Sequence, residues 1–359
     1  MKFLIVKTSS VGDIIQTFPV LEYLKTFFSQ AEIDWVVEEE YLSLIESHPL
    51  VHRGIAFNSK LLKNKKLLFL KWRQLLQFFR ELRSKRYDIL FDLQGNIKSS
   101  LITAAARTDK KVGLGWKSVA EFPNFFVTQQ HIDVVHSSQI QTKYLQLVQQ
   151  FFGDQNPFLP EGVNLILSFQ EKKALEKMLV KKKPRYMVAC FSKWQNKQLK
   201  EDTLRQFLNK VFLEDSPYFY FIWGTPKERA VAQRLHRFFP ASQTLGALPF
   251  PLWQALMREM DLVIAVDSAA LALCGTTKTP SLSFFGPSRE EVYRPLGSQH
   301  TSWQGSCPYG ISFEFRCPFL RRCPSGDCLK KGSIEQFLEA YLNYKKHNLS
   351  GKKKHKYDE

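Results

Sequence analysis

Asp13 is a carboxylate in a place where its charge needs a reason. Phe3 to Val6 is a short apolar run of the kind that forms a buried parallel strand. Lys7-Thr8-Ser9-Ser10-Val11-Gly12-Asp13 then makes a hydroxyl-rich turn with one glycine, and Ile14, Ile15, Phe18, Leu21, Leu24 and Phe27 recur at helical spacing. A strand, tight turn and helix in this order point backbone N–H groups and a positive helix end into the crevice above a sheet, where anions bind. A carboxylate there repels a phosphate. Asp13 therefore either caps the helix or faces some other part of a substrate.

The same arrangement recurs along the chain. Ile33 to Val37 reads as a second strand and Tyr41 to Ser47 as a short helix; Tyr87 to Leu93 is another buried strand, ending in Asp92-Leu-Gln-Gly95-Asn-Ile-Lys98-Ser99. Lys98 and Ser99 lack the upstream glycine spacing of a nucleotide-binding P-loop, so that reading is excluded. A further strand leads into Val112-Gly-Leu-Gly-Trp116-Lys117-Ser118, with Glu121 after it, and His136 to Phe152 is predicted helical. Gly153 to Gly162, rich in glycine and proline, marks the approach to a domain boundary. A second series follows: strand Arg185 to Phe191 before Ser192–Lys197, strand Tyr218 to Ile222 before Trp223-Gly224-Thr225-Pro226 and a helix with Glu228 and Arg229, strand Leu262 to Val266 before Asp267-Ser268-Ala269, and strand Ser281 to Phe285 before Gly286-Pro287-Ser288. Each polar turn sits just past a strand's carboxyl end, where open α/β sheets bind ligands. The expectation is two α/β domains, over 1–165 and 180–330, with their loop sets facing across a cleft. A C-terminal helix over 331–346 and a disordered basic tail over 347–359 complete the chain.

The 359 residues suit two domains, and the excess of 51 Lys and Arg over 34 Asp and Glu, a net +17, favours an anionic partner. No apolar run reaches the length of a membrane helix, and the first residues lack a signal-peptide layout, which predicts a soluble, cytoplasmic protein. Residues 59 to 86 carry ten basic side chains (Lys60, Lys63, Lys65, Lys66, Lys71, Arg73, Arg80, Arg83, Lys85, Arg86) against one acid, Glu81, interleaved with Leu, Trp and Phe. Such a helix either lies on an anionic membrane surface or packs its apolar face on its own sheet. Nucleic-acid binding is the weakest reading, because the basic residues interleave with the polar turns that such binding does not require.

Six cysteines include four in a short window, Cys307, Cys317, Cys323 and Cys328. They could hold a structural zinc, or they could be reduced thiols in an ordinary loop, since paired Cys-x-x-Cys knuckles are absent. Cys190 and Cys274 lie in apolar contexts and read as core.

Taken in order, these turns resemble the glycosyltransferase family 9 heptosyltransferases, within which the likeness is greatest to those acting first on Kdo-lipid A. The resemblance rests on K-T-S-S-x-G-D at Lys7–Asp13, D-x-Q-G-x-x-K-S at Asp92–Ser99, G-x-x-W-K-S-x-x-E at Gly113–Glu121, Lys197, W-G-x-x-x-E-R at Trp223–Arg229, V-D-S at Val266–Ser268 and F-G-P-S at Phe285–Ser288. It implies a GT-B fold of two Rossmann-like domains, an acceptor-binding N-terminal domain and a nucleotide-sugar-binding C-terminal domain, with a C-terminal helix that packs back on the first domain. It also implies an inverting, metal-independent transfer from ADP-heptose to the Kdo region of lipid A, with no cofactor, on the cytoplasmic face of the inner membrane.

By the same resemblance Asp13 is the general base and Lys197 contacts the donor phosphates. Thr8, Ser9, Ser10, Gly12, Lys98, Trp116 and Lys117 fall on the acceptor side. Ser192, Trp223, Gly224, Glu228, Asp267, Ser268, Ala269 and Gly286 fall on the donor side. One position departs from the pattern. The family usually carries a histidine five residues beyond the aspartate of the Asp267 turn, and here that position is Ala272. Loss of such a donor weakens ADP binding or leaving-group stabilisation by ~1–3 kcal/mol unless another residue compensates. The alternatives are a family member with another donor or acceptor, and a non-catalytic one that binds a glycolipid or nucleotide.

Overall fold

The computed structural model describes residues 1–63, 65–134, 139–182 and 184–354, with side chains left aside at 62–70 and 349–354. The chain divides into two compact units, Met1–Ile166 and Leu167–Glu359.

The first unit is built on a six-stranded parallel sheet of β1 (Lys2–Val6), β2 (Glu32–Glu38), β3 (Arg53–Phe57), β4 (Tyr87–Asp92), β5 (Thr108–Leu114) and β6 (Gln130–Ile132), in the order β3-β2-β1-β4-β5-β6. Chain order reverses between β1 and β4, whose register pairs Phe3 with Ile89 and Val6 with Asp92. That is the switch point at which a doubly wound sheet opens a crevice. β1 is buried from Phe3 to Val6, as its uninterrupted apolar run requires for a central strand covered on both faces. The Ile140–Phe151 helix lies within the predicted one, whose first residues, 136–138, fall outside those described.

The second unit repeats the plan with β7 (Arg185–Ala189), β8 (Tyr218–Trp223), β9 (Ser242–Gly246), β10 (Leu262–Val266), β11 (Ser281–Phe285) and β12 (His300–Gln304), ordered β12-β11-β10-β7-β8-β9. Counted from its own first strand this is the same winding, and the switch point lies between β7 and β10. The Phe169–Met178 helix, in the stretch left between the two expected domains, belongs to this unit. So does the C-terminal helix, which runs Ile334–Lys354 and so continues past residue 346 into the stretch expected to be a disordered tail. Phe337 and Tyr341 on that helix are buried in the second unit's core beside Phe207 and Phe284.

The basic helix begins with Lys60–Lys63 and continues as Lys65–Leu82, broken at Lys71, where φ is −120°. Its C-terminal half packs inward, with Phe78 and Leu82 buried in the first unit's core, so sheet packing accounts for that half. Trp72 and Leu76 stay exposed among Lys71, Arg73 and Arg80. The side chains of Lys63, Lys65 and Lys66 lie outside those described.

Candidate active site

In the first unit two turns meet at the β1–β4 switch point, and Gln94 joins them. The Thr8 and Ser9 backbone N–H groups both donate to Gln94 Oε1, at 3.0 and 3.1 Å. Gln94 is held by Asp92, a fully buried carboxylate that accepts from the N–H groups of Gln94 (3.0 Å) and Gly95 (2.9 Å), from Thr103 Oγ1 (2.7 Å) and from Asn124 Nδ2 (2.6 Å). Gly95 has φ +68°, a left-handed conformation that glycine adopts without steric cost. These contacts explain the D-x-Q-G pattern as a device that ties the β4 turn to the β1 turn. Lys7 adds to it from a buried position, its Nζ donating to Leu93 O at 3.0 Å and to Tyr144 Oη at 2.7 Å.

Asp13 stands at the third position of the Val11–Ile15 helix, half-buried, where Oδ2 accepts from Ser10 Oγ at 2.7 Å and Ser10 N at 3.2 Å. The capping reading is therefore met. It does not exhaust the residue, because a carboxylate has about four lone-pair directions. Lys143, on the Ile140–Phe151 helix, feels the Asp13 charge: burial lowers the Lys143 pKa and Asp13 opposes the shift. Neither Gln94 nor Lys143 was identified as a site residue from sequence. The D-x-Q-G motif contained the signal for Gln94, but nothing local marks Lys143.

Of the remaining residues that the resemblance puts on the acceptor side, Gly12 lies in the same short helix as Asp13. Lys98 Nζ donates to Ser59 Oγ at 2.9 Å and pairs with Glu38 at 3.3 Å, which joins the β4 turn to the ends of β2 and β3. Trp116 is 63% exposed and stacks edge-on to Phe122 at 4.1 Å, with Phe126 also exposed beside Phe122. The Lys117 N–H donates to Asp133 Oδ1 at 2.8 Å, which fixes the turn after β5.

In the second unit the turns after β7 and β10 bring Lys197 and Asp267 together. Lys197 Nζ donates to Asp267 Oδ2 at 2.5 Å, and both side chains are largely buried. Burial pushes the Asp267 carboxyl up, but the Lys197 charge and hydrogen bond, the Ser288 hydroxyl and the Arg316 charge outweigh it and hold the group below its ordinary value. Asp267 is thus an anion held by a lysine. The hydroxyl of Ser268 next to it is buried and makes no hydrogen bond with the described residues. Ala269 opens the Ala269–Cys274 helix, in which Ala272 is a buried methyl that supplies no donor.

The other residues that the resemblance puts on the donor side lie in turns of the same unit. Glu228 caps its own helix, accepting from Gly224 N at 2.8 Å and Thr225 N at 2.9 Å, and Arg229 sits 5.3 Å over the Trp223 ring. Ser192 offers its carbonyl to Gln198 Nε2, closing the β7 turn. Gly286 has no room for a side chain, since a Cβ would lie 2.7 Å from Leu329 Cβ and 3.1 Å from Cys328 Sγ. Packing therefore requires a glycine there.

Cys307, Cys317, Cys323 and Cys328 are free thiols in the segment that covers Gly286. Burial pushes the Cys328 thiol up to about 11, with the other three sulfurs adding to it, whereas the Gly326 N–H holds Cys323 below its ordinary value. Among the described residues no three His, Cys, Asp or Glu side chains are grouped to hold a metal ion. Cys190 and Cys274 are buried in the core, as read from sequence.

The profile of glycosyltransferase family 9 (heptosyltransferase) matches residues 75–320. Lipopolysaccharide heptosyltransferase 1 of Campylobacter coli is 28% identical over 308 residues, covering 82% of this chain and 87% of the relative. The Escherichia coli K12 protein of the same name is 24% identical over 299 residues, covering 80% of this chain and 88% of its own. The solved structure of Escherichia coli heptosyltransferase WaaC with ADP aligns with a TM-score of 0.76 at 20% identity, over 94% of this chain and 99% of that one. The expected α/β architecture of the GT-B heptosyltransferases is the one observed.

Proposed function

The chain belongs to glycosyltransferase family 9, and we propose that it transfers a heptose from ADP-heptose to the Kdo region of lipid A during assembly of the lipopolysaccharide inner core. The observation that carries this reading is the pairing of chemistry with topology. Asp13 and its bracing turns stand at the switch point of the first unit, and the Lys197–Asp267 pair stands at that of the second. Crevices at switch points are where doubly wound sheets take ligands. The first unit then takes the acceptor and the second the nucleotide-sugar.

The reaction is a single displacement. Asp13 accepts the proton of the acceptor hydroxyl, whose oxygen attacks the anomeric carbon as the bond to the β-phosphate oxygen breaks, inverting the configuration and releasing ADP. Removing the proton as the bond forms contributes about 10²–10⁴-fold in rate. The charge that develops on ADP needs a fixed cation in a site shielded from water, and Lys197 is already buried there. No step requires a metal or cofactor. The acceptor is a lipid, and the exposed Trp72 and Leu76 among the cations of the basic helix suit a protein resting on the anionic cytoplasmic face of the inner membrane. Among the described residues no helix is long and apolar enough to span a bilayer.

The buried Ala272 favours a second reading, in which the family reaction uses a different donor. Both are tested by following ADP release from purified protein given ADP-heptose and Kdo-lipid A, with Asp13→Asn alongside. Acceptor-dependent release that falls at least a hundredfold in the variant is the expected result. Equal release by both proteins would remove Asp13 from the mechanism. Release by neither, followed by turnover of another nucleotide-sugar in a donor panel, would move the assignment to the second reading.

A further inference from the structure

The Lys197–Asp267 pair leaves a charge imbalance for its ligand. One ammonium against one carboxylate at 2.5 Å sums to zero, whereas a nucleoside diphosphate brings at least two negative charges. The Ala269–Cys274 helix that follows carries no cationic side chain, so any further cation comes from another segment.

A segment in position to supply it is the cysteine-rich excursion after β12. Phe315 to Cys317 runs antiparallel to Pro287–Arg289, the turn after β11: Arg289 N donates to Phe315 O at 2.9 Å, Cys317 N donates to Pro287 O at 2.8 Å, and Ser288 bridges to Arg316. The far side of the excursion is tied to the β7 turn, where Asn196 Nδ2 donates to Leu320 O at 2.6 Å. Asn196 is the neighbour of Lys197. The excursion thus fastens to turns on both sides of the Lys197–Asp267 pair. Arg316 is exposed to solvent, its guanidinium lies 4.4 Å over the Tyr293 ring, and its charge reaches Asp267. Stacking on an aromatic face fixes the plane of a guanidinium, and a guanidinium's fork of N–H donors matches phosphate bidentately.

We infer that Arg316 is a donor-binding residue, pairing with the diphosphate of the nucleotide-sugar and with the ADP that leaves. The inference rests on the reading of the second unit as the donor unit. Lys197, shared with Asp267, fixes the site, and Arg316 supplies charge that the pair cannot.

The test compares ADP with adenosine, which shares the base and ribose and lacks the phosphates. Binding of both to wild type, Arg316→Ala and Arg316→Lys is measured by calorimetry, and by ligand-observed NMR for the weaker nucleoside. The expected result is ADP binding weakened about ten- to fiftyfold in Arg316→Ala, partly restored in Arg316→Lys, with adenosine binding within twofold of wild type throughout. ADP binding unchanged in Arg316→Ala would overturn the inference. Equal loss of ADP and adenosine in both variants would also overturn it, assigning Arg316 to holding the excursion in place. Failure of wild type to bind ADP would instead overturn the reading of the unit on which the inference stands.

Discussion

In the proposed reaction Asp13 serves structure and chemistry together. Its bonds to Ser10 close the first turn of a five-residue helix, and on the proposed mechanism the same bonds orient the carboxylate toward the acceptor hydroxyl. Lys143 adds an electrostatic term. A nearby ammonium favours the ionised carboxylate, which is the form that accepts a proton. Lys143→Met removes that charge, so the Asp13 pKa rises and the acid limb of the kcat/KM profile moves to higher pH. A pH–rate series on the variant reads this directly, and an unmoved limb would show that Lys143 does not act on the base. The sequence marked Asp13 because a carboxylate is anomalous in that turn. It left Lys143 unmarked because a lysine on an amphipathic helix looks like any solvated lysine until the fold buries it.

At the scale of elements, legibility followed burial. β10 and β11 are read to the residue from sequence, since central strands covered on both faces are uninterrupted apolar runs. The sheet edges were not: β6, β9 and β12 read Gln-His-Ile, Ser-Gln-Thr-Leu-Gly and His-Thr-Ser-Trp-Gln, which are short, partly exposed and polar. β3, Arg-Gly-Ile-Ala-Phe, closes the other edge of its sheet and was missed because only Ile55 and Phe57 are buried. The turns were legible as motifs, but what they bind to was not. Asp92, quoted only as part of a motif, is a four-bond hub on which the β4 turn depends. The turn is sensitive to its glycine. At Gly95 a Cβ would lie 2.9 Å from Leu114 Cδ1 on a backbone already at φ +68°. Gly95→Ala is therefore expected to cost about 1–3 kcal/mol of stability and to raise the acceptor KM more than the donor KM, because Gln94 beside it holds Thr8 and Ser9. Chemical denaturation and initial-rate kinetics separate the two effects, and equal rises in both KM values would point to general loosening.

Over the whole molecule, the two units share a winding and also an expected sensitivity to acid. Among the described residues each buries one histidine, which burial keeps neutral. In the first unit His48 is lowered to about 3; Leu50 N donates to its Nδ1 at 3.2 Å and Phe18 packs edge-on against its ring. In the second unit His300 is lowered to about 4, by burial and then by the Arg294 charge, with Nδ1 against Ser281 Oγ at 2.9 Å. An unfolded histidine titrates near 6.5. Below that pH the unfolded chain takes up protons that the folded chain refuses, so stability falls as pH falls from about 6.5 toward the folded values. The slope approaches about 1.4 kcal/mol per pH unit for each histidine. Between pH 6.5 and 5 most carboxylates stay ionised, which isolates the histidine contribution. His48→Asn keeps an acceptor for Leu50 N and cannot take up a proton, and His300→Gln does the same opposite Ser281. Thermal melts of the wild type across that window are expected to lose stability steadily, and each variant is expected to lose it with a shallower slope. A variant whose melting temperature falls with pH as steeply as the wild type would show that its histidine is solvated, and that the acid sensitivity of its unit resides in other groups.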